Sequence, residues 1–208
     1  TTGTMVISDG GLVETKPDPL VNLNASNVLS EIGTGDNASG SVTVTGAGST
    51  FKTSGLIVGN SAVGGAVVNQ GSLTISGGGV VDINTGPGGK GGSVSVGSAT
   101  GSQITVTGAG SRLQVEPVTS GFNAGKEILV GGFGAGTLLV DDFGAVEAAG
   151  ANILVGGGFF GSNTDPGTLT VRNGGSVTAN SVTVSQNGLL NGDGTVTGDV
   201  ILNGGTIA

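Results

Sequence analysis

Asp141-Asp142 is the one adjacent carboxylate pair in the chain. Two carboxylates are the minimum for hydrolysing a glycosidic bond, one as acid and one as base or nucleophile. Neighbours along a strand point to opposite faces, so these two converge only across a bulge and otherwise read as a solvated turn. A polysaccharide lyase site would add calcium and a basic residue. Arg112 and Arg172 are the only arginines and fall in different stretches of the chain. Asn191-Gly192-Asp193-Gly194 and Asp36-Asn37 have the residue types of calcium-binding turns. A calcium β-roll repeats its Gly-Gly-x-Gly-x-Asp motif in tandem. Here the motif never repeats, and Asn-Gly and Asp-Gly turns form without metal. No cofactor and no metal is therefore expected.

Thr43/Thr45 and Thr105/Thr107 form T-x-T pairs of the kind that ice-binding solenoids repeat. A continuous ladder needs the pair in every repeat. Thr74/Ser76, Leu139/Asp141 and Thr170/Arg172 interrupt it, so these threonines read as ordinary strand residues. Glycine clusters here lead into strands, not into a helix whose N-terminus could hold phosphate.

The chain has no Cys, no His, no Trp and no Tyr. Cysteine nucleophiles, disulfides and cysteine zinc sites are excluded, and a Ser-His-Asp triad cannot be assembled. Six basic residues against fourteen acidic ones, net −8, leave no footprint for nucleic acid or anionic lipid. No apolar run is long enough for a membrane-spanning helix, so membrane insertion of this segment is not expected. The start, Thr1-Thr2-Gly3-Thr4, has no signal-peptide pattern and no initiator Met, which reads as a processed or excised segment.

The elements that must position these residues are short strands. Glycine accounts for 46 of 208 residues, and each costs a helix interior about 1 kcal/mol relative to alanine. The long Gly-free stretches are 12–32, 111–120 and 176–187. The first two carry proline, and the third alternates β-branched residues at period two. The glycines recur with a period. Val42-Thr43-Val44-Thr45-Gly46-Ala47-Gly48-Ser49 returns as Ile104-Thr105-Val106-Thr107-Gly108-Ala109-Gly110-Ser111. An aliphatic-Gly marker falls at Ile32-Gly33, Val58-Gly59, Val96-Gly97, Val130-Gly131 and Val155-Gly156, with Val184-Ser185 as a degenerate sixth. The spacings are 26, 38, 34, 25 and 29 residues.

Each unit reads as three strands and a variable loop, as in 137–142, 145–149 and 152–156. One such unit cannot bury its apolar side alone, but stacked units can. The expected fold is all-β: a β-solenoid, a right-handed parallel β-helix of six or seven coils forming a rod of roughly 30 Å at about 4.8 Å per coil. The whole of 1–208 forms a single β-helix segment of a longer array, with 12–30 as an atypical insertion. Alternation turns Val44, Val58, Ile75, Val96, Val106, Val130, Val140, Val155 and Val171 inward.

The V-T-G-A-G-S segments at 44–49 and 106–111, the φ-V-G tripeptides (φ aliphatic), Gly167-Thr168-Leu169-Thr170-Val171-Arg172-Asn173-Gly174-Gly175-Ser176-Val177 and the 187–200 tail resemble repeats of bacterial autotransporter (type V secretion) passengers and PEP-CTERM surface proteins. The resemblance covers most of the chain. It implies export through the outer membrane and an extracellular or cell-surface location; passengers of this kind include adhesins, proteases, lipases and spacers, and with the catalytic residue types missing the expected role is structural or adhesive, with no catalysis. The partners it implies are host or abiotic surfaces, or further copies joined end to end or side by side. Two alternatives stand beside this reading: a self-assembling extracellular fibre subunit, and a β-helix polysaccharide-cleaving enzyme.

In the third strand of each unit the middle residue points outward: Ile57, Ser95, Leu129, Leu154 and Thr183. With Phe133, Phe159 and Phe160 in the adjoining loops, Ile57, Leu129 and Leu154 define an apolar contact stripe. Its rival reading is a satellite core covered by those loops. Both ends of the segment read as uncapped, so the chain is expected to continue or its copies to stack.

Overall fold

Alternating β-branched residues between glycine turns lay three strands per turn of chain, in the same order each time. A computed structural model describes residues 1–15, 30–34, 37–59, 69–84, 92–98, 101–117, 128–157 and 165–208. Coil one holds β1 (Thr2–Ile7), β2 (Leu12–Glu14) and β3 (Ser30–Ile32). Coil two holds β4 (Ser39–Thr45), β5 (Thr50–Thr53) and β6 (Leu56–Val58). Coil three holds β7 (Gln70–Ser76), β8 (Val80–Ile83) and β9 (Val94–Val96), and coil four β10 (Ser102–Thr107), β11 (Arg112–Val115) and β12 (Ile128–Val130). From coil five the second and third strands run together. The pairs are β13 (Gly136–Asp141) with β14 (Ala145–Val155), β15 (Gly167–Val171) with β16 (Ser176–Ser185), and β17 (Gly188–Asn191) with β18 (Thr195–Asn203). β19 (Thr206–Ile207) opens an eighth coil.

The first strands of all coils form one eight-stranded sheet, and the second and third strands form an eleven-stranded sheet. Every strand pair is parallel. The fold is therefore a parallel β-solenoid of seven coils and the start of another. Where strands fuse, the corner survives as a bulge. Register shifts between Ala148 and Asn152 and again between Thr178 and Ser181. Asn152 Oδ1 secures that bend by accepting hydrogen bonds from Asn180 Nδ2 (2.9 Å) and Ser181 Oγ (2.8 Å).

Ile32, Val58, Val96, Val130, Val155 and Val184 are successive partners in one ladder. The repeat marker of the sequence is thus a physical column, and all six side chains are buried. All nine residues expected to face inward are buried as well. Of the stretch 12–30 expected to be atypical, residues 16–29 lie outside the described residues, and its two ends are in strands. Leu12–Glu14 pair with Thr50–Lys52, and Ser30 pairs with Leu56.

The motif residues have mechanical roles. Ser49 and Ser111 of the two V-T-G-A-G-S segments are fully buried. Ser49 Oγ accepts from Gly10 N (3.1 Å) and Ser111 Oγ from Gly78 N (3.0 Å), so each ties its turn to the preceding coil. Gly3, Gly40, Gly71, Gly136, Gly167 and Gly188 share one position of the first strand. Ser102 occupies it in coil four, pairing with Gly136. Ser102 Oγ accepts from Gly71 N (3.0 Å) and bonds Ser98 Oγ (2.9 Å). The chain is rerouted there, with Gly97 at φ 154° where Gly33 and Gly59 have 67° and 73°.

The end coils are bare. Val200 and Leu202 are 43% and 57% exposed, although the ladder partners behind them, Val182 and Val184, are fully buried. At the other end Met5 and Val13, which stand in inward columns, are only half-buried.

Candidate functional site

Two outward columns of the first sheet carry no charged side chain. One runs Thr4, Ser41, Ser72, Gln103, Thr137 and Thr168; the other runs Thr43, Thr74, Thr105, Leu139 and Thr170. Strand alternation puts them outside because Val42, Leu73, Ile104, Leu138 and Leu169 fill the core between them. Stacking brings hydroxyls of successive coils together. Ser39 Oγ donates to Thr2 Oγ1 (3.1 Å), Ser41 Oγ to Thr4 Oγ1 (3.2 Å) and Ser76 Oγ to Thr45 Oγ1 (3.0 Å). A shallow groove of about 490 Å³ crosses this face, lined by hydroxyls, glycines and the amides of Gln70 and Gln103. The result is a neutral, mainly polar strip, bordered on the same face by the column that ends in Asp141 and Arg172, on a chain of net charge −8. Threonine pairs alone understate it, because Ser41, Ser72, Thr137 and Thr168 extend the hydroxyls one column further.

The acidic pair lies at the corner between β13 and β14. Asp141 Oδ2 accepts from Arg172 Nε (3.1 Å) and Nη2 (2.9 Å), and Oδ1 from Asn173 Nδ2 (2.7 Å) and Asp142 N (2.9 Å). The hydrogen bond from Asn173, and then those from Arg172 with its charge, hold the Asp141 carboxyl below the ordinary aspartate range. Asp142 leaves the strand at φ 47° and is exposed. The two carboxylates therefore do not face each other as an acid–base pair, and Asp141 is occupied as an acceptor. Arg172, assigned by sequence to another unit, is brought against Asp141 by stacking. Val140 pairs with Val171, so the next residue of each strand becomes a neighbour. Arg112 pairs instead with Val80 and Ala145.

The second strands carry an outward polar ladder: Glu14, Lys52, Asp82, Gln114, Glu147. Lys52 Nζ meets Asp82 at 3.5 Å, and Gln114 Nε2 donates to Glu147 at 2.8 Å. Opposite or neutral groups separate the carboxylates, as on a solvated face. Among the described residues, no three acidic side chains gather around a common point. Asp193 Oδ1 accepts from Asn173 N (2.9 Å), so that aspartate braces the turn below it. Asp36 lies outside the described residues, and Asn37 takes the left-handed turn conformation at φ 53°.

The expected contact stripe forms a ladder, Ile57–Ser95–Leu129–Leu154–Thr183. It is not bare. Leu129 is 2% exposed and Ser95 5%, while Ile57 and Leu154 are half-buried. The turn after β12 covers part of it: a Cβ built at Gly132 would meet Leu129 Cβ at 3.4 Å. Leu129 thus lies under its own chain, outside the main core cluster. Phe133 is half-buried, and Phe159 and Phe160 lie outside the described residues.

One aromatic is exposed that the sequence reading passed over. Phe143 is 66% exposed at φ 62°, and its ring lies against Gly174 of the next coil, where a Cβ would come within 2.6 Å of Cε1. The available signal was positional: Phe143 falls where Gly110 and Gly174 stand in the neighbouring turns.

No protein-family model matches the chain, and comparison with curated proteins and with solved structures returns no match either.

Proposed function

We propose that this chain is a non-catalytic structural and adhesive segment, displayed outside a bacterial cell as part of an autotransporter-type or PEP-CTERM-type solenoid. The observation that carries the reading is the neutral hydroxyl strip of the first sheet. An uncharged strip can approach another surface closely without stripping water from ions, which is the expensive part of polar contact. Hydroxyl and amide groups then exchange water for partner hydrogen bonds at little net cost. Sequence resemblance supplies the extracellular setting, and the tethered Asp141 speaks against the polysaccharide-cleaving alternative.

Beads coated with the chain should hold to abiotic and polysaccharide surfaces, with retention that changes little with salt. Thr43→Lys with Thr105→Lys, on alternate coils, should reduce retention while leaving the thermal melt in place. Unchanged retention in that variant would refute the face assignment. Release of reducing ends or unsaturated sugars from a polysaccharide panel would refute the non-catalytic reading.

A second reading, a self-assembling fibre subunit, uses the exposed Val200 and Leu202, which are open to a further coil of this chain or of another copy. These side chains stand in inward columns and would be covered by another coil. Concentration-dependent sedimentation, abolished by Val200→Ser with Leu202→Ser, would support it.

A further inference from the structure

We propose that Phe143 is the stacking platform of a saccharide subsite on the corner joining coils five and six, with Asp142, Arg172 and Asn173 as its polar rim. The turn position it occupies, two residues before the second strand, is glycine in five other coils, Gly10, Gly48, Gly78, Gly110 and Gly174, all at φ between 76° and 87°, and Asp193 in coil seven. These residues stack, with a Cβ at Gly48 meeting Gly10 Cα at 3.5 Å and one at Gly110 meeting Gly78 Cα at 3.5 Å. Phe143 alone puts a large side chain into this left-handed column, at φ 62°. For an L-residue that conformation costs roughly 1–2 kcal/mol. Burial returns little of it, since the side chain remains 66% exposed. The demands of the fold therefore do not explain the ring, and strain held at an exposed position points to use.

The surroundings select the ligand. The ring lies against Gly174 through Cδ1, Cε1 and Cζ, and two thirds of the residue remains open. An aromatic face is electron-rich and attracts the polarised C–H groups of a pyranose. Around it stand groups of both hydrogen-bonding senses. Arg172 uses Nε and Nη2 on Asp141, which leaves Nη1 to donate outward. Asn173 donates through Nδ2 to Asp141, which leaves Oδ1 to accept. Asp142, the residue before the ring, is exposed. Vicinal sugar hydroxyls both donate and accept, and match such a rim. The bonds among Asp141, Arg172 and Asn173 hold it in place before any ligand arrives. A protein partner fits less well. The other large exposed apolar residues are Val6, Leu12, Val200, Ile201, Leu202 and Ile207, all in the end coils, so among the described residues Phe143 is a single ring and not a patch.

The proposal rests on the adhesive reading and names one ligand class for it. The test titrates the intact chain with cellohexaose at millimolar concentration and follows the backbone amide resonances of residues 142–144 and 172–174, which every variant retains. Saturable shifts are expected. Phe143→Gly should weaken binding about tenfold while melting at the same temperature or higher, because glycine is the usual residue of that column. Phe143→Tyr should retain binding and Phe143→Leu should not. Absence of a saturable shift, equal affinity in Phe143→Gly, or full binding by Phe143→Leu would overturn the proposal, as would a ring that mediates only self-association. If beads still adhere after Phe143→Gly and in excess cellohexaose, the saccharide subsite fails while the adhesive face stands. If wild-type beads adhere to nothing, the adhesive reading itself fails.

Discussion

Gly71→Ala against Gly3→Ala isolates what coil stacking costs a single methyl group. The two glycines hold the same position of the first strand: Gly3 pairs with Gly40, and Gly40 with Gly71. Neither has the positive φ that would penalise alanine for conformation alone. At Gly3, in the first coil, a Cβ has nothing within 4 Å. At Gly71 it would collide with Gly59 N and lie 2.5 Å from the Ile32 carbonyl oxygen and 2.9 Å from Val58 C. Those are backbone atoms of two earlier coils and cannot rotate aside. Ordinary contact requires them to retreat by about an ångström, an overpacking cost of roughly 1–3 kcal/mol. The same movement stretches the hydrogen bond that Gly59 N donates to Ile32 O, 2.8 Å long, for about another 1 kcal/mol. Against this stands a gain of about 0.4–1 kcal/mol from a less flexible unfolded chain. The net expectation for Gly71→Ala is a loss of about 1–3 kcal/mol, and for Gly3→Ala a change within about 0.5 kcal/mol. Urea denaturation followed by circular dichroism reads both. Hydrogen exchange should place the Gly71→Ala opening around coils one to three, because a solenoid couples mainly to its nearest neighbours. Equal midpoints for the two variants would refute the stacking argument.

Val106→Asp should abolish the cooperative melt, because its side chain is fully buried among apolar residues with no partner for a charge; a soluble variant with an unchanged circular dichroism melt would show the inward assignment to be mistaken. Leu129→Ser should lower stability by about 1.5–3 kcal/mol, as for exposing a fully buried leucine, whereas a bare contact residue would leave the denaturation midpoint in place. Asp141→Asn should cost stability at neutral pH. The native carboxyl is held below its unfolded value, so its contribution is present above the unfolded value and fades as pH falls through the native one; melts across acid pH should converge, and a constant gap would contradict the assignment.

Much of the solenoid was legible because its code is local. Period-two alternation puts Val42 and Val44 on one side whatever the rest of the chain does, and the aliphatic-Gly marker recurs because each coil must turn the same corner. Glycine content excluded helices before any contact was considered. The atypical stretch was only partly readable: Leu12–Glu14 are too short to show a period, and it is pairing with Thr50–Lys52 that makes them a strand. Whether the stripe around Leu129 is covered was not legible for a related reason. Alternation correctly turned Leu129 away from the main core, but alternation carries no information about whether a turn folds back over it.

By itself the sequence determined which residues face the interior, that the chain is all-β, that it repeats, and which catalytic chemistries lack their residues. Only the tertiary structure decided which residues of different coils become neighbours. Loops of unequal length absorb the spacings of 25 to 38 residues, so separation along the chain does not measure distance. Asp141 and Arg172, 31 residues apart, share two hydrogen bonds for this reason. Stacking likewise aligned Phe143 with a column of glycines and merged scattered serines and threonines into one neutral strip. Side-chain orientation is set within a strand by backbone geometry. Side-chain company is set across strands, by the register in which coils settle when their apolar columns close against one another.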